Sequence, residues 1–144
     1  MTISEYGGAM ASTEDRALRE RMFKAYSSRG NNGNENDTKD LIMKMMALRV
    51  EKATLLGYAN PAEMILHDKM AGNPQTVETF LAGIIKPAVA KAKAEIKDMQ
   101  AMMNKDIKAG LLPAGSKIEP WDWAYYAEKV RKAKYALDEE QTKP

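Results

Sequence analysis

Cysteine is absent from all 144 residues, and histidine occurs once, at His67. The first absence excludes disulfides, thiolate nucleophiles and every cysteine-based metal site. The second removes the usual way of building a histidine cluster. Aromatic residues make up only 7% of the chain, and β-branched residues are sparse. No stretch alternates apolar and polar residues for more than a few positions, and no tandem repeat is present, so strands, barrels and solenoids find no support. Neither sign of charge dominates. Lys and Arg number 22 against 20 Asp and Glu, a net charge of +2, which argues against a dedicated nucleic-acid binder. No run of apolar residues is long enough for a membrane span. The N-terminus lacks a charged region followed by an apolar one, so no signal peptide is expected.

What the chain does hold is helix-forming material. Eleven methionines and many unbranched side chains lose little rotamer freedom in a helix. Start signals recur along it. Ser12 is read as a cap with Asp15 at N3, followed by Leu18, Met22, Phe23 and Tyr26. Gly30 ends that helix, and the polar stretch 27–36 is a loop. Asp37 is read as the next cap, before a stripe of Leu41, Ile42, Met45, Met46, Leu48, Ala53 and Leu56 that Gly57 closes. Asn60-Pro61-Ala62-Glu63 combines a capping side chain, a proline at N1 and an acid at N3, opening a short helix to about residue 71. Asn73-Pro74 repeats the signal.

The run that follows meets Pro87, which removes a backbone donor and crowds the carbonyl four residues back. The apolar phase continues through Ile84, Ala88, Ala92 and Ile96, which predicts a kink there and not a break. Both isoleucines are therefore expected to be buried, with a cost of about 2–5 kcal/mol for either Ile→Ala change. A second loop covers 110–118. Pro120 opens a last helix through about Leu137, and Asp138 is read as a cap for a further turn. The expectation is an all-α, single-domain array of about five or six helices. Residues 1–11 are read as a flexible arm and residues 12–144 as the helical domain.

Candidate chemistry is thin. A zinc-peptidase helix needs two histidines at i and i+4 with a glutamate between them. His67 alone cannot supply this, nor is there a nucleophile elbow for it to serve. Asn32, Asn34 and Asn36 alternate as calcium ligands do, but Asp37 stands where that loop needs Gly, and Met43 where it needs Glu. Gly7-Gly8 is no phosphate cradle. Lysines 91, 93 and 97, and the basic run 129–134, are interleaved with acids and read as solvated helix faces. The sequence assigns no catalytic, cofactor-binding or metal-binding residue. The one aromatic concentration is Trp121, Trp123, Tyr125 and Tyr126. On a helix from Pro120, Trp121 and Tyr125 share one face while Trp123 and Tyr126 share another. These four residues are the candidate partner-facing or channel-facing surface, beside the plainer reading of core aromatics.

Four stretches carry a family resemblance. They are Arg16-Ala-Leu-Arg-Glu-Arg-Met-Phe-Lys-Ala-Tyr26, Arg29-Gly-Asn-Asn-Gly-Asn-Glu-Asn-Asp37, Leu48-Arg-Val-Glu-Lys-Ala-Thr-Leu-Leu-Gly-Tyr58 and Glu119-Pro-Trp-Asp-Trp-Ala-Tyr-Tyr-Ala-Glu-Lys-Val-Arg-Lys-Ala-Lys-Tyr135. Together they resemble the helical segment N-terminal to the zinc site in peptidyl-dipeptidases and oligopeptidases of the thimet oligopeptidase family. The resemblance implies a zinc-dependent parent enzyme, several times longer, whose His-Glu-x-x-His helix lies C-terminal to this segment. It implies that the segment itself is non-catalytic and inactive alone, with no cofactor of its own. The implied partner is the remainder of the peptidase, not nucleic acid or membrane. The implied compartment is cytoplasmic or periplasmic, without a choice between them.

Departures from the family pattern fall at Gly8, Ala9, Ser12, Thr38, Ile85, Ala124 and Thr142, and several replace apolar by small or polar side chains. That is what solubilising an excised domain would require. The alternative expectation is therefore an engineered helical scaffold or binding module, with a protein partner the sequence does not specify.

Overall fold

The computed structural model describes residues 2–135. They form six α-helices and one 3-10 turn, and there is no strand among the described residues. The helices are α1 (Ile3–Ser12), α2 (Arg16–Ser27), α3 (Lys39–Leu55), α4 (Pro61–Leu66), α5 (Pro74–Lys108) and α6 (Trp123–Tyr135). The 3-10 turn Pro120–Asp122 leads into α6. The all-α array is as the sequence implies. The expected reach of the last helix to Leu137, and the cap at Asp138, lie outside the described residues.

Local chemistry explains most boundaries. Asn60 accepts a hydrogen bond from the Glu63 amide at 2.9 Å, and Asn73 accepts one from the Thr76 amide at the same distance. Both caps stand where the sequence put them. Gly57 takes a left-handed φ of 81°, which lets the Tyr58 amide reach back to the Ala53 carbonyl at 2.9 Å. The N-cap of α3 is Thr38, without a side-chain cap bond, and not the expected Asp37. The Asp37 carboxylate accepts from the Lys39 amide at 3.0 Å and from the Gly33 amide at 2.8 Å, so it ties the loop to the start of α3. The Lys39 side chain, followed by these amides, holds the carboxyl at a pKa of about 2. Helix α5 runs unbroken through Pro87. Gln100 on α5 clamps the 110–118 loop, donating to the Ser116 carbonyl and accepting from the Ile118 amide, each at 3.0 Å.

Two local expectations are corrected. Residues 3–12 form α1 where the sequence was read as an arm. Thr2 and Glu5 make a reciprocal capping box, and the Tyr6 ring stacks on Tyr26 with centroids 3.9 Å apart. Ser12 consequently ends α1 and donates to the Gly8 carbonyl. Asp15 is the residue that caps α2, accepting from the Ala17 and Leu18 amides at 2.9 and 3.2 Å. The Thr2-x-x-Glu5 capping signature sets the local structure despite Gly7-Gly8. A Cβ added at either glycine meets nothing within 4 Å, so the pair is no obstacle to the helix.

The described chain falls into two compact units, residues up to 27 with those from 90 onward, and residues 28–89. In the first, Met99, Met103 and Tyr126 form a buried cluster against which Met102, Ile107, Leu112, Ile118 and Val130 pack. α1 also packs on α6, and α2 on the 3-10 turn. In the second, α3 packs on α4 and Ala53 is the one buried residue. The predicted core stripes are corrected here. Leu41, Ile42, Met45, Met46, Leu48 and Leu56 are all exposed, and Ile84 and Ile96 keep 45% and 39% of their surface in contact with solvent. Periodicity marks a face that wants cover, but does not say that the same chain provides it. The truncation costs shift accordingly. Met103→Ala, at a fully buried site, is expected to lower stability by about 2–5 kcal/mol. Ile84→Ala should cost less than about 1.5 kcal/mol, since only part of its apolar surface leaves water. Urea midpoints of the two variants check the order, and equal losses would contradict it.

Candidate functional site

The aromatic concentration lies at the 3-10 turn and the first turns of α6, where one residue that the sequence reading passed over organises the rest. Asp122 is completely buried. Its carboxylate accepts from Arg16 Nη2 at 2.7 Å, from Arg16 Nε at 3.1 Å, from Arg19 Nη2 at 2.8 Å and from the Glu119 amide at 3.1 Å. Arg19, only 1% exposed, also donates through Nη1 to the Thr13 and Glu14 carbonyls at 2.8 and 3.0 Å. Arg16 reaches the Lys117 carbonyl at 3.0 Å. One carboxylate thus joins α2, the link before it and the entry to α6. Burial pushes the Asp122 carboxyl up, but the hydrogen bonds from Arg16 and Arg19 outweigh it, and the net shift is downward.

The four candidate aromatics divide around this point. Trp121 belongs to the 3-10 turn and not to α6 proper. It is half-buried, 6.2 Å from the Phe23 ring, with the Lys24 ammonium 5.7 Å from its own. Tyr125 lies under the Arg19 guanidinium, 4.2 Å from the ring centroid, and 4.8 Å from the Lys129 ammonium. Tyr126 is buried edge-on to Tyr125 and donates to Asp106 at 2.9 Å. Burial, and then that hydrogen bond, raise its hydroxyl pKa above the ordinary phenol value. The same Asp106 carboxylate takes the Lys129 ammonium at 2.6 Å. Trp123 stays 39% exposed and lines a groove of about 300 Å3 with Met99, Ala127 and Val130, crossed by the Lys134–Asp98 pair. Trp121 and Tyr125 thus meet groups of α2, and Tyr126 meets α5, inside one unit.

These carboxylates are already committed to cations and amides, so the cluster positions helices and offers no free base or nucleophile. The missed residues had a faint signal: Arg16 and Arg19 at i, i+3, and an acid set between two tryptophans.

A zinc ion does not fit the donors present. The single imidazole, His67, sits exposed at the end of α4 with its ring 5.5 Å from that of Tyr58. No group of three His, Asp or Glu side chains converges among the described residues. No described helix is long and apolar enough to cross a membrane.

The family model of peptidase family M3 matches residues 9–144. The chain belongs to peptidase family M3. It is 38% identical over 136 residues to dipeptidyl carboxypeptidase of Escherichia coli, covering 94% of this chain and 19% of that protein. With oligopeptidase A of Salmonella typhimurium it shares 34% identity over 148 residues, 100% of this chain and 21% of the relative. Organellar oligopeptidase A of Arabidopsis thaliana is 34% identical over 139 residues, 96% and 17% of the two chains. The M3 chain described here thus spans about a fifth of the length of these relatives.

The buried ion cluster yields a test. Asp122→Asn leaves two arginines facing a neutral amide, one of them buried, and is expected to cost about 3–5 kcal/mol. Because the folded-state pKa lies below the unfolded one, the carboxylate's contribution is complete above pH ~4 and is lost as pH falls through the lower value. The gap between wild-type and variant urea midpoints should therefore be widest near neutrality and narrow below pH ~4. A gap independent of pH would refute the assignment.

Proposed function

We propose that this chain is a non-catalytic helical segment of a zinc-dependent peptidyl-dipeptidase or oligopeptidase, packing in the full enzyme beside the catalytic helices and helping to wall the substrate channel. Helix α3 carries the reading. At 100° per residue, Leu41, Ile42, Met43, Met45, Met46, Leu48, Val50 and Leu55 spread over roughly two thirds of its circumference. All eight are exposed in this chain. A helix that stands at a protein surface needs one apolar stripe. One that is apolar on most sides belongs in the interior of a larger body. The relatives supply that larger body, since about four fifths of their length lies outside the matched segment.

Alone, the chain is inactive on this reading. Catalytic zinc uses three protein ligands and an open position for water. A single imidazole without cysteine leaves only carboxylates, which suit magnesium or calcium better. The purified chain, incubated with zinc and a quenched fluorescent peptide, should show no cleavage above background, and zinc titrated in a calorimeter should show no submicromolar one-to-one binding. Chelator-sensitive cleavage that follows the protein through chromatography would overturn the proposal.

A further inference from the structure

The two compact units are very unequal in what they bury. Of seven buried residues among those described, Met10, Arg19, Met99, Met103, Asp122 and Tyr126 belong to the unit made of residues 2–27 and 90–135. Residues 28–89 contribute Ala53 alone. That segment instead exposes Leu41, Met43, Leu48, Leu55, Phe80 and Ile85, among others, with Leu48 at 63%. The ordering entropy of its helices must be offset by apolar burial, and among the described residues the segment fully buries Ala53 alone. Apolar surface exposed around most of a helix, as on α3, marks an interaction site.

We propose that residues 28–89 are the docking segment of this chain: the remainder of an M3 peptidase polypeptide covers their Leu- and Met-rich helices and supplies their order, whereas residues 2–27 and 90–135 hold their fold unaided. This rests on the reading of the chain as a peptidase segment. The chemistry of the surface fits a protein partner. Residues 28–89 hold seven Lys and Arg against seven Asp and Glu, so no net charge draws the segment to an anionic membrane or to nucleic acid. The exposed methionines adapt to an irregular apolar surface. The matched relatives carry most of their length outside this segment, which is where the covering surface resides.

Amide hydrogen exchange on the full 144-residue chain tests the proposal, with and without a partner. The partner is Escherichia coli dipeptidyl carboxypeptidase lacking the stretch matched here, used once circular dichroism and melting show it folded. In the free chain, amides of α3 and of residues 76–86 should exchange at least about tenfold faster than those of residues 96–106. Mixing should produce a one-to-one complex, with protection rising about tenfold or more across 28–89 and unchanged around Met99, Met103 and Tyr126.

Two variants at exposed leucines separate the units. Leu48→Asp should weaken association at least about tenfold, and Leu111→Asp, 71% exposed in the other unit, should not. Unchanged urea midpoints show that neither variant acts through folding. Association that protects only the other unit, or that depends on Leu111 and not Leu48, overturns the docking assignment and leaves the peptidase reading standing. No association with the folded partner removes both. A free chain already as protected across 28–89 as across 96–106 overturns the proposal. So does Leu48-dependent binding to phosphatidylcholine–phosphatidylglycerol vesicles, or Leu48-dependent self-association of the chain.

Discussion

The carboxylate of Asp122 is where the first unit is tied together. It sits about a hundred residues from the two arginines that reach it, so it closes long connections in the fold. A buried carboxylate is costly unless every lone pair is engaged, and here two guanidinium groups and a backbone amide engage them. Arg19 also carries hydrogen bonds to the link between α1 and α2, so the same cluster fixes how α2 begins. Tyr125 then has a cation over its face, and Tyr126 beside it turns its hydroxyl to Asp106 on α5. The aromatic residues pack as they do because the charges beneath them are fixed.

Residues 28–89 are organised differently. Local hydrogen bonds set their boundaries: caps at Asn60 and Asn73, the Asp37 loop, and the Thr38 amide on the Gly30 carbonyl at 2.8 Å. Such interactions decide where helices begin and end, and each is worth only about 1 kcal/mol. They do not decide what the helices pack against. That asymmetry divides the described chain into one unit with its own core and one whose large apolar side chains are mostly exposed.

What the sequence made legible follows the same division. Asn60-Pro61, Asn73-Pro74 and Gly57 each carry a complete local mechanism within a few residues, and the structure places them as read. Thr2 with Glu5 is equally local, and the helix it starts carries on through Gly7-Gly8. Asp122 could not be read in the same way, because its partners lie outside any window that periodicity or capping rules inspect. Ile84, Ile96 and the α3 stripe were misread for the opposite reason. Their pattern is strong, but a pattern reports only that a side chain avoids water. Four aromatic residues drew attention by rarity, yet the charged residue between two of them carries the architecture.

The family assignment gives these facts a direction. On the proposed reading of the chain as a non-catalytic segment, its effect on a peptidase works through where it holds its neighbours. Positioning is not a minor contribution, since displacing reacting groups by about 1 Å can cost a hundredfold in rate. Such a role needs a part that does not yield joined to a part that fits closely against the rest. The Asp122 cluster, with its short charge-assisted hydrogen bonds, meets the first requirement in residues 2–27 and 90–135. On the docking proposal the exposed methionines of α3 meet the second, because their unbranched side chains fill the spaces that a neighbouring surface leaves. Stability and fit are therefore carried by different residues. A substitution at Asp122 and one at Leu48 should both impair an enzyme containing this segment, the first by loosening the segment and the second by leaving it intact but poorly seated.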